Sequence, residues 1–87
     1  MTINVDIFPE EHRSNIKDLL YNLADVQRQH KEACSKLLMS HRTKNTFIID
    51  ENSFITVEFY RLLVDADNLY RKYLVEHDLS KYLEKNA

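Results

Sequence analysis

Apolar residues recur along most of this chain at alternating steps of three and four, the spacing that lines one side of an α-helix. In the first half Ile16, Leu19, Leu23, Val26, His30, Ala33, Leu37 and Ser40 fall on such a seam, written as a heptad with Ile16, Leu23, His30 and Leu37 at one core position and Leu19, Val26, Ala33 and Ser40 at the other. No Gly or Pro interrupts it, so the spacing predicts one helix over 9–42, opening at Pro9 with Glu10 and Glu11 behind it. The seam turns polar toward its end, at His30, Cys34, Ser40 and His41, where a polar network, solvent or a partner is expected. In the second half Ile55, Phe59, Leu62, Ala66, Leu69 and Tyr73 form the main stripe of a second helix over 53–77.

Three stretches break these periods. Ile3, Val5 and Ile7 alternate with polar neighbours, which suits an extended arm over 1–8. Arg42–Thr46 is polar and turn-prone, Phe47-Ile48-Ile49 reads as a short extended piece, and Asp50 or Ser53 offers an N-cap, so a connector is expected over 43–52. Residues 78–87 read as a short terminal helix or tail.

The architecture implied is all-α: one antiparallel helical hairpin domain spanning the 87 residues. Composition strengthens this, because the chain has no glycine and one proline, whereas sheets need many tight turns. Two helices bury little, and helix 2 has apolar and aromatic residues off its main stripe. Tyr60, Val64, Tyr70 and Leu74 are therefore the expected contacts to a partner, with pairing of two hairpins into a four-helix bundle, a homodimer, as the simplest way to cover them. In that dimer the arm at Ile3, Val5 and Ile7 would lie near Phe47-Ile48-Ile49 of the second copy.

The formal charge of −2 is unevenly placed. Residues 28–44 carry five basic side chains and one acidic, a local +4, between flanks that are each −3. Arg28, Lys31, Lys36, Arg42 and Lys44 thus form a basic patch that suits an acidic surface, and nucleic acid is the second reading. The net negative charge and the lack of a recognisable binding module weigh against it.

Candidate chemistry is sparse. His30 and Cys34 share a helix face at a spacing that can hold a metal, but a zinc site needs about four ligands, and no CxxC or HExxH pattern supplies them. Cys34 has no evident base or oxyanion site for nucleophilic work. No catalytic residue, metal or cofactor is therefore expected. With a single cysteine, no internal disulfide and no signal-like or membrane-spanning apolar run, a cytoplasmic location is expected. The reading at this level is a non-catalytic protein that binds another protein as a regulator, inhibitor or adaptor, such as an antitoxin-like, immunity-like or phage-encoded protein.

Overall fold

The structure is a computed structural model that describes residues 4–85. Two helices of 31 residues each, α1 (Glu10–Ser40) and α2 (Thr46–Glu76), are followed by a short α3 (Ser80–Lys85). They pack antiparallel: Asn15 meets Tyr73 near one end and Ala33 meets Thr56 toward the other, so numbers rise on one helix as they fall on its neighbour. The result is a rod of 52 × 20 × 19 Å, and none of its helices is long and apolar enough to cross a membrane among the described residues.

The start of α1 follows the sequence, with Pro9 as its N-cap residue and Glu10 and Glu11 in the first turn opposing the helix dipole. All eight seam positions from Ile16 to Ser40 are buried or half-buried. The connector is much shorter than expected. After one 3-10 turn at His41–Thr43, Lys44 takes the left-handed conformation (φ 56°) and Asn45 caps α2, its Oδ1 accepting from the N–H groups of Phe47 and Ile48. Phe47-Ile48-Ile49 is therefore the first turn of α2, not an extended piece, and neither Asp50 nor Ser53 is the cap. The cause is local: with Asn45 satisfying two helix N–H groups, the following residues gain a helix register at once. A left-handed lysine costs about 1 kcal/mol or more, which is why the sequence without glycine did not advertise so tight a turn.

The far end of α2 closes on a Schellman motif. Asp78 adopts φ 54°, the Leu79 N–H donates to the Leu74 carbonyl at 2.8 Å and the Asp78 N–H to the Val75 carbonyl at 3.2 Å. Leu79 thereby turns back beside Leu74, and both belong to a core of Phe8, Ile16, Tyr70, Leu74 and Leu79. This core lies at the end of the rod remote from the turn between α1 and α2. The expected arm contributes to it in another form: Val5–Ile7 is a 3-10 turn capped by Asn4, Val5 and Ile7 pack on their own chain's core, and Ile3 lies outside the described residues. Arg13 fastens this segment, donating to the carbonyls of Phe8 at 2.8 Å and Asp6 at 3.2 Å. An arm so used is not free to reach a second copy.

Packing by the N-terminal turn and α3 also decides how α2 is rotated. Its inward side is Thr56, Phe59, Leu63, Ala66, Tyr70, Tyr73 and Leu74, all buried or half-buried. Of the stripe expected from sequence, Phe59, Ala66 and Tyr73 face the seam, whereas Leu62 and Leu69 are 50 % and 54 % exposed. Periodicity alone allowed either flank to turn inward. Phe8 and Leu79 cover one of them, and that flank carries Tyr70 and Leu74.

Candidate protein-binding faces

α2 exposes apolar side chains on both sides of its seam. On one flank Ile48, Ile55, Leu62 and Leu69 follow each other at steps of seven, all exposed. The adjoining flank of α1 is the column Asn15, Asn22, Gln29 and Lys36, placed there by the hydrogen bond that Asn15 Nδ2 donates to the Tyr73 hydroxyl at 3.1 Å. This flank is apolar on one helix only.

The other flank of α2 carries Val57, Tyr60, Val64 and Val75, also exposed. An open groove of about 1130 Å³ between the helices borders this flank at Val75, with Leu20, Ala24, Tyr70 and Leu74 in its lining and Lys17, Asp67 and Arg71 at its edges, while Val64 lies beside Leu23 and Tyr60 beside His30. Of the four contacts expected from sequence, Tyr60 and Val64 thus stand on an exposed flank. Tyr70 and Leu74 do not: at 5 % and 4 % exposure they are spent inside the hairpin, under Phe8 and Leu79.

Tyr70 brings an unsatisfied group into that core, because its buried hydroxyl has no hydrogen-bond partner among the described residues. Burial pushes its pKa up, with the Asp67 charge adding to the rise and Arg71 opposing it. Replacing Tyr70 by Phe removes a desolvated donor without changing the shape of the ring, so Tyr70→Phe is expected to stabilise the fold by about 1 kcal/mol in denaturant titrations. A raised folded pKa means that stability is full below the ordinary tyrosine range and falls as pH rises through the folded value. Tyr70→Phe should therefore also blunt alkaline unfolding, and a variant no more resistant than wild type at high pH would contradict the assignment.

The polar end of the seam resolves into short local contacts. Cys34 is exposed, with its Sγ 3.6 Å from His30 Nε2, and the His30 ring lies 5.9 Å from that of Tyr60. Thr56 and Ser40 return their hydroxyl protons to backbone carbonyls of Asn52 and Leu37; His41 is exposed. Among the described residues no group of three or more His, Cys, Asp or Glu side chains is arranged to hold a metal ion.

A cluster that spacing did not single out joins His12, Tyr73 and His77 across the hairpin. His12 Nδ1 is 2.8 Å from the Tyr73 hydroxyl, and the His77 ring lies 4.8 Å from that of His12 and 4.3 Å from that of Tyr73. With Asn15 also on the hydroxyl, the cluster closes the seam by satisfying a half-buried phenol. Tyr73 and His77 are four residues apart, but no sequence period could show His12 with them, since it meets them only when the two helices are set in register.

The basic patch is dispersed. Arg28 is held by Asp25 at 2.6 Å and Glu32 at 3.6 Å. Lys31, Lys36, Arg42 and Lys44 are exposed and make no ion pair among the described residues. At roughly 100° per residue, Arg28, Lys31 and Lys36 spread over about 140° of the circumference of α1, with Arg42 and Lys44 around the turn. Comparison with protein-family models, curated proteins and solved structures finds no match.

Proposed function

We propose that this protein is a non-catalytic binding protein that works by docking other helices against α2, as a regulator, inhibitor or adaptor. The observation that carries the reading is the exposure of apolar side chains on both flanks of one helix, Leu62 and Leu69 on one side and Val57, Tyr60 and Val64 on the other. Monomeric proteins rarely leave contiguous apolar patches larger than a few hundred Å² uncovered, and interdigitating helices are the ordinary way to cover them.

The flank at Tyr60 and Val64 suits a second copy, giving the four-helix bundle, because an apolar groove lined by Leu20, Leu23 and Leu74 adjoins it at Val75, with Val64 beside Leu23, and a twofold axis can set this side of one hairpin against that of the other. Nucleic acid is the weaker reading. A cation already held by two carboxylates, and others spread around α1 and the turn, do not make the continuous basic track that phosphates require.

Sedimentation equilibrium at micromolar concentration tests the pairing. The wild-type chain is expected at dimer mass, and a double Tyr60→Ser, Val64→Ser variant, with its helical circular dichroism retained, at monomer mass. Affinity capture from the native cell tests the wider reading. A set of captured proteins that substitutions on either flank leave unaltered, from a chain monomeric throughout, would overturn it.

A further inference from the structure

The flank carrying Ile48, Ile55, Leu62 and Leu69 is bordered on both sides by carboxylates at the same seven-residue repeat. On α2 these are Glu51, Glu58 and Asp65; on α1, beyond the Asn15, Asn22 and Gln29 column, they are Asp18, Asp25 and Glu32. All six are exposed. Glu58 is paired with Arg61 at 3.6 Å, and Arg28 serves both Asp25 and Glu32, whereas Asp18, Glu51 and Asp65 make no ion pair among the described residues. Lys36 and Lys72 stand at opposite ends of this face, so its central part is an apolar line between two acidic margins. From Ile48 to Leu69 the line is about 30 Å long, the length of a helix of three heptads, about six turns.

We propose that this face takes a cationic amphipathic helix of another protein, with apolar residues at heptad spacing on the Ile48–Leu69 line and Lys or Arg on each side of it. The proposal rests on the reading that the flanks of α2 bind protein, and it names the partner's chemistry on one of them. Two features favour a different protein over a second copy at this face. Pairing the face with itself across a twofold axis sets acidic margin against acidic margin, which is destabilising. The face is also apolar on one helix only, so it has room for one added helix rather than for a hairpin. Opposite charge on the incoming helix instead speeds encounter and fixes its register.

The test uses the full chain and two synthetic helical peptides of about 21 residues with identical leucine heptads, one flanked by Lys and Arg, the other by Glu. Fluorescence anisotropy at low salt should show the cationic peptide binding roughly tenfold tighter, as three exposed charge pairs of ordinary strength imply. The ratio should shrink as salt is raised. A Glu51→Lys, Asp65→Lys double variant should abolish the preference, Asp50→Lys on the opposite flank should keep it, and Leu62→Ser should weaken both peptides. These positions are exposed, so the melting temperature should hold. Equal binding of the two peptides, with Leu62→Ser still weakening both, would sink the charge assignment and leave protein binding by α2 standing. No binding of either peptide, or a preference untouched by Glu51→Lys, Asp65→Lys, would overturn the proposal, and the sedimentation result judges the broader reading separately.

Discussion

Phe8→Ala is expected to cost about 3–5 kcal/mol of folding stability, a large part of what a domain of this size possesses. Phe8 is 1 % exposed although it lies outside both long helices, and it meets the Tyr82 ring edge-on at 6.2 Å. Truncating it removes the transfer energy of the ring and leaves a void under Tyr70, Leu74 and Leu79. The loss should spread, because the Val5–Ile7 turn and α3 both pack on this core, and beyond it the turn has chiefly the Arg13 hydrogen bonds to hold it. Phe54→Ala, at a residue 67 % exposed, is the control and should stay within about 0.5 kcal/mol of wild type. Urea titrations of the two variants decide the matter: if both shift the midpoint equally, Phe8 is not the residue that closes the hairpin.

The second large effect separates two neighbours on α2. Leu74→Ala should cost about 2–5 kcal/mol and Leu69→Ala about 0.5 kcal/mol or less, although the periodic pattern puts Leu69 on the main stripe and Leu74 off it. Leu74 is buried, its carbonyl accepts the closing bond of the Schellman motif, and Leu79 joins it in the core. Leu69 stands on an exposed flank. The reverse order of the two midpoints would mean that α2 is rotated the other way, with the Ile48–Leu69 line in the seam. That result would also remove the acidic-margined face, so the stability of these variants bears directly on where a partner helix can sit.

The basic patch shows why side-chain chemistry was less legible than the seam. Arg28, Lys31 and Lys36 are close in sequence, but helical winding sends them in different directions, and Asp25 and Glu32 hold the first. His30 and Cys34 do approach, at 3.6 Å, because four residues make one turn. Of the His12, Tyr73 and His77 cluster, spacing offers only the Tyr73–His77 pair, one turn apart, since His12 joins it across the hairpin.

For α1 the sequence by itself was sufficient. A heptad uninterrupted by Gly or Pro, a proline and two acids at the start place where the helix begins and which side faces in, because that seam carries more apolar residues than any other side of the helix, with Leu20 and Ala24 off it. The all-α hairpin followed from that period, repeated in the second half, and from the lack of glycine. For α2 the sequence supplied a helix with more apolar circumference than one neighbour can cover, and periodicity cannot rank equivalent flanks. The tertiary structure ranked them through contacts distant in sequence: Phe8 from one end of the chain and Leu79 from the other cover the side of Tyr70 and Leu74. It also showed Asn45 capping α2 early, behind a left-handed Lys44 that no residue preference announces. What those two choices leave outside is the line from Ile48 to Leu69 and the flank of Tyr60 and Val64, the surfaces through which the protein is proposed to act.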